Sequence, residues 1–292
     1  MTFSLHHADS LEWLAGRRPS SVHAVLTDPP FGVEFRQEHM RKLTSGKGGI
    51  WRVPPTNRRP LPRFSVLDQE EVAEVTSFFE EFSRLLFPVL VPGAHVLVAS
   101  NPLVSQFVWG GFIKAGFEKR GEIVRLIQTL RGGDRPKGAE KEFPSISVMP
   151  RSAWEPWGLF RKPCEGTVSE NLRKYGTGGL RRNSHEQPFK DVIASSFPTA
   201  RERAISDHPT LKPQSWLRPL VRALLPMGGV LLDPFMGSGS TIAAAQALGV
   251  DSHGIEIHPE FFSQAEGNIE SFLAIDDDLD SLDAFDAVMS FG

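Results

Sequence analysis

With a single cysteine, Cys164, the 292-residue chain has no internal disulfide and no thiolate cluster. Its nine histidines show no paired ligand spacing, and there is no Cys-x-x-Cys, so no metal site is expected. No run of about 18 apolar residues occurs, which argues against a membrane partner. The N-terminal MTFSLHHADSLEW lacks the basic and apolar regions of a signal peptide, so the expected location is the cytoplasm. An excess of positive charge is missing too: the net charge is −3, which does not by itself look like a nucleic-acid binder. Apolar content of 40% and charged content of 23% are ordinary for a globular protein.

The charge is unevenly spread. Beyond Ile275 the tail (276–292) holds six aspartates and no base, which more than accounts for the net value. Such a tail reads as a solvated end. Eight bases and one acid, Glu38, lie between Arg36 and Arg63, and Arg173, Lys174, Arg181 and Arg182 occur without an acid between Asn171 and His185. Two basic Gly/Pro-rich stretches in one α/β chain favour a phosphate-backbone partner.

The hydrophobic pattern alternates strands with helices. The first 30 residues read as strand, short helix, strand. Residues 68–87 carry a helix signal, with Asp68 as N-cap, Glu71 at N3, Leu67 poised to staple Val72, and a stripe of Val72, Val75, Phe78, Phe79, Phe82, Leu85 and Leu86. Strands are expected at 95–100, 122–128, 157–161, 230–232 and 253–257, and helices at 103–115, 216–225, 241–248 and 260–273. His6 and His7, adjacent in a strand, should face opposite sides. Residues 164–207 show little periodicity and read as an inserted segment. This alternation predicts an α/β fold with a mostly parallel, doubly wound sheet.

Two stretches carry chemistry. In LTDPPFGVEF (26–35) a strand stops against an acid, two prolines and an aromatic. In LLDPFMGSGSTIAAAQALG (231–249) an apolar strand runs into a glycine turn and then directly into a helix, the geometry of a cofactor loop at the carboxyl edge of a parallel sheet. Gly237 and Gly239 permit a tight turn and a close approach of ligand to backbone. Ile242 stands where a dinucleotide fingerprint needs its third glycine, and Ser240 where a P-loop needs lysine. With both phosphate readings disfavoured, S-adenosylmethionine (SAM) is the remaining common tenant. Glu256, near the end of the next strand, lies close to the spacing expected of a carboxylate that holds ribose hydroxyls.

DPPF followed by DPFMGSGST resembles the amino-methylating DNA methyltransferases, specifically their β-class permutation, in which the catalytic motif precedes the cofactor loop. LHHADSLEWL and HPTLKP (208–213) agree with that family's order. The resemblance covers the chain except roughly 36–66, 164–207 and the tail. It implies a Rossmann-like, SAM-dependent methyltransferase fold with its catalytic half at 1–163, including a mobile basic loop at 36–66, a target-recognition insert at 164–207, and the SAM-binding half at 208–275. It places Asp9 near the cofactor's adenine amine and Thr210, Lys212 and Pro213 over its methionine moiety. Glu256 goes to the ribose, and Asp233, Phe235, Gly237, Gly239 and Thr241 form the cofactor loop. The family's usual aromatic is tyrosine; here it is Phe31, and stacking needs only the ring. WEPWGLFRK matches later motifs only loosely and yields no residue.

The implied reaction methylates an exocyclic amine of a base. That amine is a poor nucleophile because its lone pair is conjugated with the ring. Asp28 and the Pro29 carbonyl would accept both amine hydrogens, Pro29 and Pro30 would stiffen the turn, and Phe31 would stack on the extruded base. Positioning and fixed dipoles supply the catalysis, without a metal. The missing metal set also sets aside the zinc deaminases, which likewise act on flipped bases. In the family an acidic first residue goes mostly with adenine N6, so the expected reaction is adenine-N6 methylation of double-stranded DNA. The alternatives are cytosine-N4 methylation, a catalytically silent SAM- or DNA-binding partner subunit, and methylation of RNA or of a protein glutamine. Trp51, Arg52, Arg173, Lys174, Arg181 and Arg182 are the candidate DNA contacts. There is no room for a fused endonuclease. The expected setting is a bacterial, archaeal or phage methylase, solitary or paired with a separately encoded cognate restriction endonuclease, with a homodimer as a further partner state.

Overall fold

The computed structural model describes residues 2–30, 69–127, 133, 135–206, 208 and 210–275. In chain order the elements are β1 (Phe3–His7), α1 (Ser10–Ala15), β2 (Val22–Thr27), α2 (Gln69–Val89), β3 (Leu90–Ala99), α3 (Ser105–Lys114), β4 (Glu118–Leu126) and β5 (Trp154–Arg161). There follow α4 (Val168–Tyr175), β6 (Val192–Ala194), α5 (Ala200–Ile205), α6 (Gln214–Leu224), β7 (Val230–Asp233), α7 (Ser240–Ala247), β8 (Asp251–Glu256) and α8 (Pro259–Leu273). The strands form one sheet in the order β1-β8-β7-β2-β3-β5-β4-β6. Every pairing is parallel except those of β5, which runs antiparallel between β3 and β4.

The central strands are buried on both faces, as a parallel sheet requires. Val25, Val96 and Val98 point to one side, where they pack with Trp13 and Leu14 of α1, Phe79 and Phe82 of α2, and Phe112 of α3. Ala24, Leu26, Leu97 and Ala99 point to the other, against Trp216, Leu217, Leu220 and Leu224 of α6. Each large side chain so buried contributes roughly 1.5–3 kcal/mol. The α2 stripe is core, with Val75, Phe79, Phe82 and Leu86 fully buried. Gly111 brings α3 against α2, since a Cβ there would stand 2.6 Å from the Phe79 backbone. The helix start expected at Leu67 and Asp68, and the basic loop, lie outside the described residues.

Residues 164–207 are more regular than their composition implies: they supply α4, β6 and α5. β6 extends the sheet edge through Val124↔Val192 to Leu126↔Ala194. Periodicity misses such pieces because a three-residue strand is too short to show one. Both α4 and α5 open with a complete Thr-x-x-Glu capping box, Thr167 with Glu170 and Thr199 with Glu202. Among the described residues no helix is long and apolar enough to cross a membrane. His6 and His7 do face opposite sides, the first against Trp13 and His253, the second stacked on Phe262.

Candidate active site

The sheet connections diverge between β7 and β2: β7 leads outward to β8, β2 to β3. Such a switch point opens a crevice at the carboxyl ends of the strands. Four adjacent strand ends there each present an acid. Asp9 follows β1, Glu256 closes β8, Asp233 closes β7 and Asp28 follows β2. The two motifs that lie some two hundred residues apart in the chain are thus neighbours, joined by a hydrogen bond of 2.7 Å from Thr27 Oγ1 to Asp233 Oδ1.

A cleft opens at this point, lined among others by Asp28, Trp157, His208, Thr210, Lys212, Asp233, Phe235, Gly237 and Thr241. Of the residues expected to hold a cofactor, Thr210, Lys212, Asp233, Phe235, Gly237 and Thr241 are therefore brought together. Pro213 is buried behind them as the N-cap of α6. Gly239 takes φ 82° and starts α7, pressed so closely on α8 that a Cβ would stand 2.8 Å from Ile269. Gly237 takes φ 51°, and a Cβ there would stand 2.8 Å from the His208 ring. His208 in turn meets Phe261 edge-on at 4.5 Å, so the 208–213 segment sits over the loop. Glu202, which sequence reading passed over, ties that segment down by accepting the Gln214 amide at 2.7 Å.

The loop is acidic, not basic. Asp233 is 2% exposed and accepts the Phe235 amide at 3.1 Å. Burial pushes its carboxyl up to about 6, against hydrogen bonds from Thr27, Thr241 and the Phe235 amide that pull it down. Glu256 accepts from the Gly237 amide at 3.0 Å and the His258 amide at 2.7 Å. Burial pushes its carboxyl up as well, partly offset by those amides. Two buried carboxylates beside a glycine turn repel a phosphate and suit hydroxyl donors and a cationic ligand. A nucleoside carrying a sulfonium and an ammonium matches that donor set. Asp9 is not among the residues that line the cleft; its Oδ1 caps α1 by accepting from the Leu11 and Glu12 amides.

Asp28 is engaged by the Lys212 ammonium, which also donates to the Thr210 carbonyl at 3.3 Å. Lys212 Nζ lies 3.8 Å from Glu155 Oε1. Glu155 is fixed in turn: its Oε1 accepts from Trp157 Nε1 at 2.7 Å, and Arg125 stands 3.6 Å from its Oε2. Sequence reading missed Glu155, Trp157 and Arg125. The one signal available was an acid flanked by tryptophans in WEPW. β5 is antiparallel, so its beginning, not its end, lies at the carboxyl edge beside Ser100, whose amide donates to the Pro156 carbonyl at 2.8 Å.

Pro29 and Pro30 continue from β2, Pro29 buried and Pro30 exposed. Phe31, Trp51 and Arg52 lie outside the described residues. Arg173, Lys174, Arg181 and Arg182 are not brought to the cleft. Asn171 of α4 bonds the Pro92 carbonyl near the start of β3, at the amino edge of the sheet. Arg181 donates its amide to Ala223, at the far end of the 11-residue α6. At 1.5 Å per residue that helix carries Arg181 and its neighbour Arg182 about 16 Å from the Lys212 end. The segment at the cleft's own edge is instead 135–153, which leads into β5, with Arg135, Lys137, Lys141 and Arg151 exposed.

Comparison with known proteins is consistent with this arrangement. The model of the N6/N4 DNA methylase family matches residues 22–267. The type II methyltransferase M2.LlaDCHI of Lactococcus lactis subsp. cremoris is 35% identical over 262 residues, covering 90% of this chain and 87% of its own. The type II methyltransferase M.HindIII of Haemophilus influenzae is 25% identical over 273 residues, covering 84% and 87%. PvuII DNA methyltransferase, cytosine-N4-specific, superposes with a TM-score of 0.61 at 14% identity, covering 99% of this chain and 93% of that one. The M1.HpyAVI–SAM complex gives 0.56 at 16% identity, covering 91% and 99%. At these identities the structural likeness concerns the fold.

Proposed function

Because the chain belongs to the N6/N4 DNA methylase family, we propose that it methylates adenine N6 in duplex DNA, with Asp28 as the acceptor that holds the target amine. At the coarser level the chain is a SAM-dependent DNA amino-methyltransferase. The observation that carries the finer reading is the seat of Asp28, at the switch point, in the same cleft as Asp233 and Gly237 and already engaged by an ammonium nitrogen.

In this reading the Asp28 carboxylate and the Pro29 carbonyl accept the two hydrogens of the amine and draw its nitrogen towards tetrahedral geometry. SAM, when bound, supplies an electrophilic methyl carbon on a sulfonium. Asp233 orients Thr27 and Thr241, Glu256 takes the ribose hydroxyls, Asp9 the adenine amine, and the 208–213 segment covers the methionine end. Phe31 stacks on the extruded base. Holding the reacting groups in place, in a site ringed by fixed dipoles, is the main catalytic contribution. We place the DNA across the carboxyl edge, with 135–153 beside it, and the protein either as a solitary methylase or as the modification half of a pair with a separately encoded endonuclease.

The test is expression in a host without DNA methylation, followed by base-resolved mapping of modified positions. N6-methyladenine at one short motif is expected, absent with Asp28→Ala although that variant still binds SAM. N4-methylcytosine instead would move the specificity, and a chain that binds SAM but marks no base would sink the proposal.

A further inference from the structure

Glu155 belongs to no motif, yet its neighbours fix its carboxylate beside the reacting acid. Trp157 Nε1 donates to Oε1 at 2.7 Å, and Arg125 stands 3.6 Å from Oε2. Arg125 is 3% exposed and is itself held by Ser195 Oγ at 2.9 Å and the Ser196 carbonyl at 3.0 Å. Among the described residues the Lys212 ammonium also faces Glu155, 3.8 Å from Oε1 while bonded to Asp28. Lys212 is 8% exposed, so its charge stays among protein groups rather than in water. Two carboxylates thus flank one buried ammonium, and only one of them holds it.

We propose that Glu155 is a positioning residue for methyl transfer: it is the second seat of the Lys212 ammonium, to which Lys212 moves when a target amine takes its place on Asp28. This rests on the reading of Asp28 as the amine's acceptor. The reason for the move is electrostatic. An amine nitrogen that gains a methyl becomes cationic, and a resident ammonium on the same carboxylate opposes that charge. A seat within ion-pair reach lets the ammonium step aside without carrying its charge into solvent or leaving it unpaired, which would be costly. In the ligand-free protein the same ammonium keeps Asp28 paired.

The seat can be read without catalysis. Reductive methylation of ligand-free protein, followed by mass spectrometry, reports the labelling rate of Lys212 against exposed Lys114. Asp28→Asn should leave Lys212 as protected as in the wild type, because Glu155 receives it. The Asp28→Asn/Glu155→Gln pair should label at least tenfold faster. If Asp28→Asn alone labels as fast as the pair, Glu155 is no seat. Kinetics with tritiated SAM on duplex DNA supply the second arm. Glu155→Gln should lower kcat tenfold or more and raise the KM for DNA, with the Kd for SAM within twofold and the melting temperature unchanged. Unchanged kcat, or an equal loss in kcat, DNA affinity, SAM affinity and melting temperature, would overturn the proposal. Wild-type protein that methylates no base refutes the role given to Asp28, while the labelling still decides the two-seat arrangement.

Discussion

Replacing Asp233 by Asn should make the protein more stable at neutral pH and leave it unchanged in acid. Asp233 is 2% exposed, and burial raises its carboxyl from 3.8 to about 6 even after three hydrogen bonds pull it down. Between those values the folded chain binds more protons than the unfolded one, so stability falls as pH rises through the window and is level above it. Roughly two units at about 1.4 kcal/mol each put the cost of the ionised carboxylate at about 3 kcal/mol above pH 6. Asn keeps the acceptor oxygen used by Thr27 and the Phe235 amide, at 2.7 and 3.1 Å, loses the charge, and replaces the other carboxylate oxygen by an NH2, for which the Thr241 hydroxyl can turn to accept. For a chain of this size the gain corresponds to roughly 6–12 °C in melting temperature. Thermal unfolding without SAM, at steps from pH 4 to pH 7.5, is the assay. The two proteins should coincide near pH 4 and separate by pH 7. A variant less stable at pH 7.5 would show that the carboxylate gains more from its hydrogen bonds than burial costs it, and a gap that does not change with pH would show that folding leaves its pKa unshifted.

The opposite slope belongs to His95. Burial, with the nearby Arg161 and Arg120 charges, lowers its pKa from 6.5 to about 4, and its Nδ1 has no hydrogen-bond partner among the described residues. The unfolded chain binds the extra proton first, so stability is lost as pH falls from 6.5 towards 4, by up to about 3 kcal/mol; His95→Gln should flatten that limb in urea titrations, and an unchanged limb would exonerate His95. DNA affinity should depend on the edge that bears the cleft. Alanine at Arg135, Lys137, Lys141 and Arg151 should reduce the salt dependence of binding by roughly one unit of log–log slope for each phosphate no longer neutralised. The same change at Arg173, Lys174, Arg181 and Arg182 should leave the slope alone, and a larger effect there would place the DNA on the amino edge.

Much of the fold was legible because its signals are local. A seven-residue apolar stripe from Val72 to Leu86 has helical period whatever it packs against, and the run from Val22 to Leu26 reads as a buried strand before any partner is known. Boundaries were less legible. β3 begins at Leu90, ahead of Pro92 and Gly93, because its pairing with β2 starts at Val22↔Leu90 and then shifts register. Residues 164–207 hid three elements, since the capping boxes of α4 and α5 open helices of only eight and six residues. The site divided in the same way. Asp28, Asp233, Gly237, Gly239 and Glu256 sit at strand ends or in turns whose residue types announce themselves. Glu155 does not, because its place depends on the direction of the strand it begins.

Motif order alone pointed to the family, and the residues themselves to the glycine turn after β7 and the acid at the end of β2, since these are covalent neighbours read within a few residues. Tertiary structure alone decided which distant groups share that acid's surroundings. Parallel pairing of β2 with β7 brought Asp28 to Asp233, the reversed direction of β5 delivered Glu155 and Trp157 to the same edge, and the length of α6 carried Arg181 and Arg182 to the other. A linear chain records none of these distances, which arise only when strand direction and helix length are combined in three dimensions.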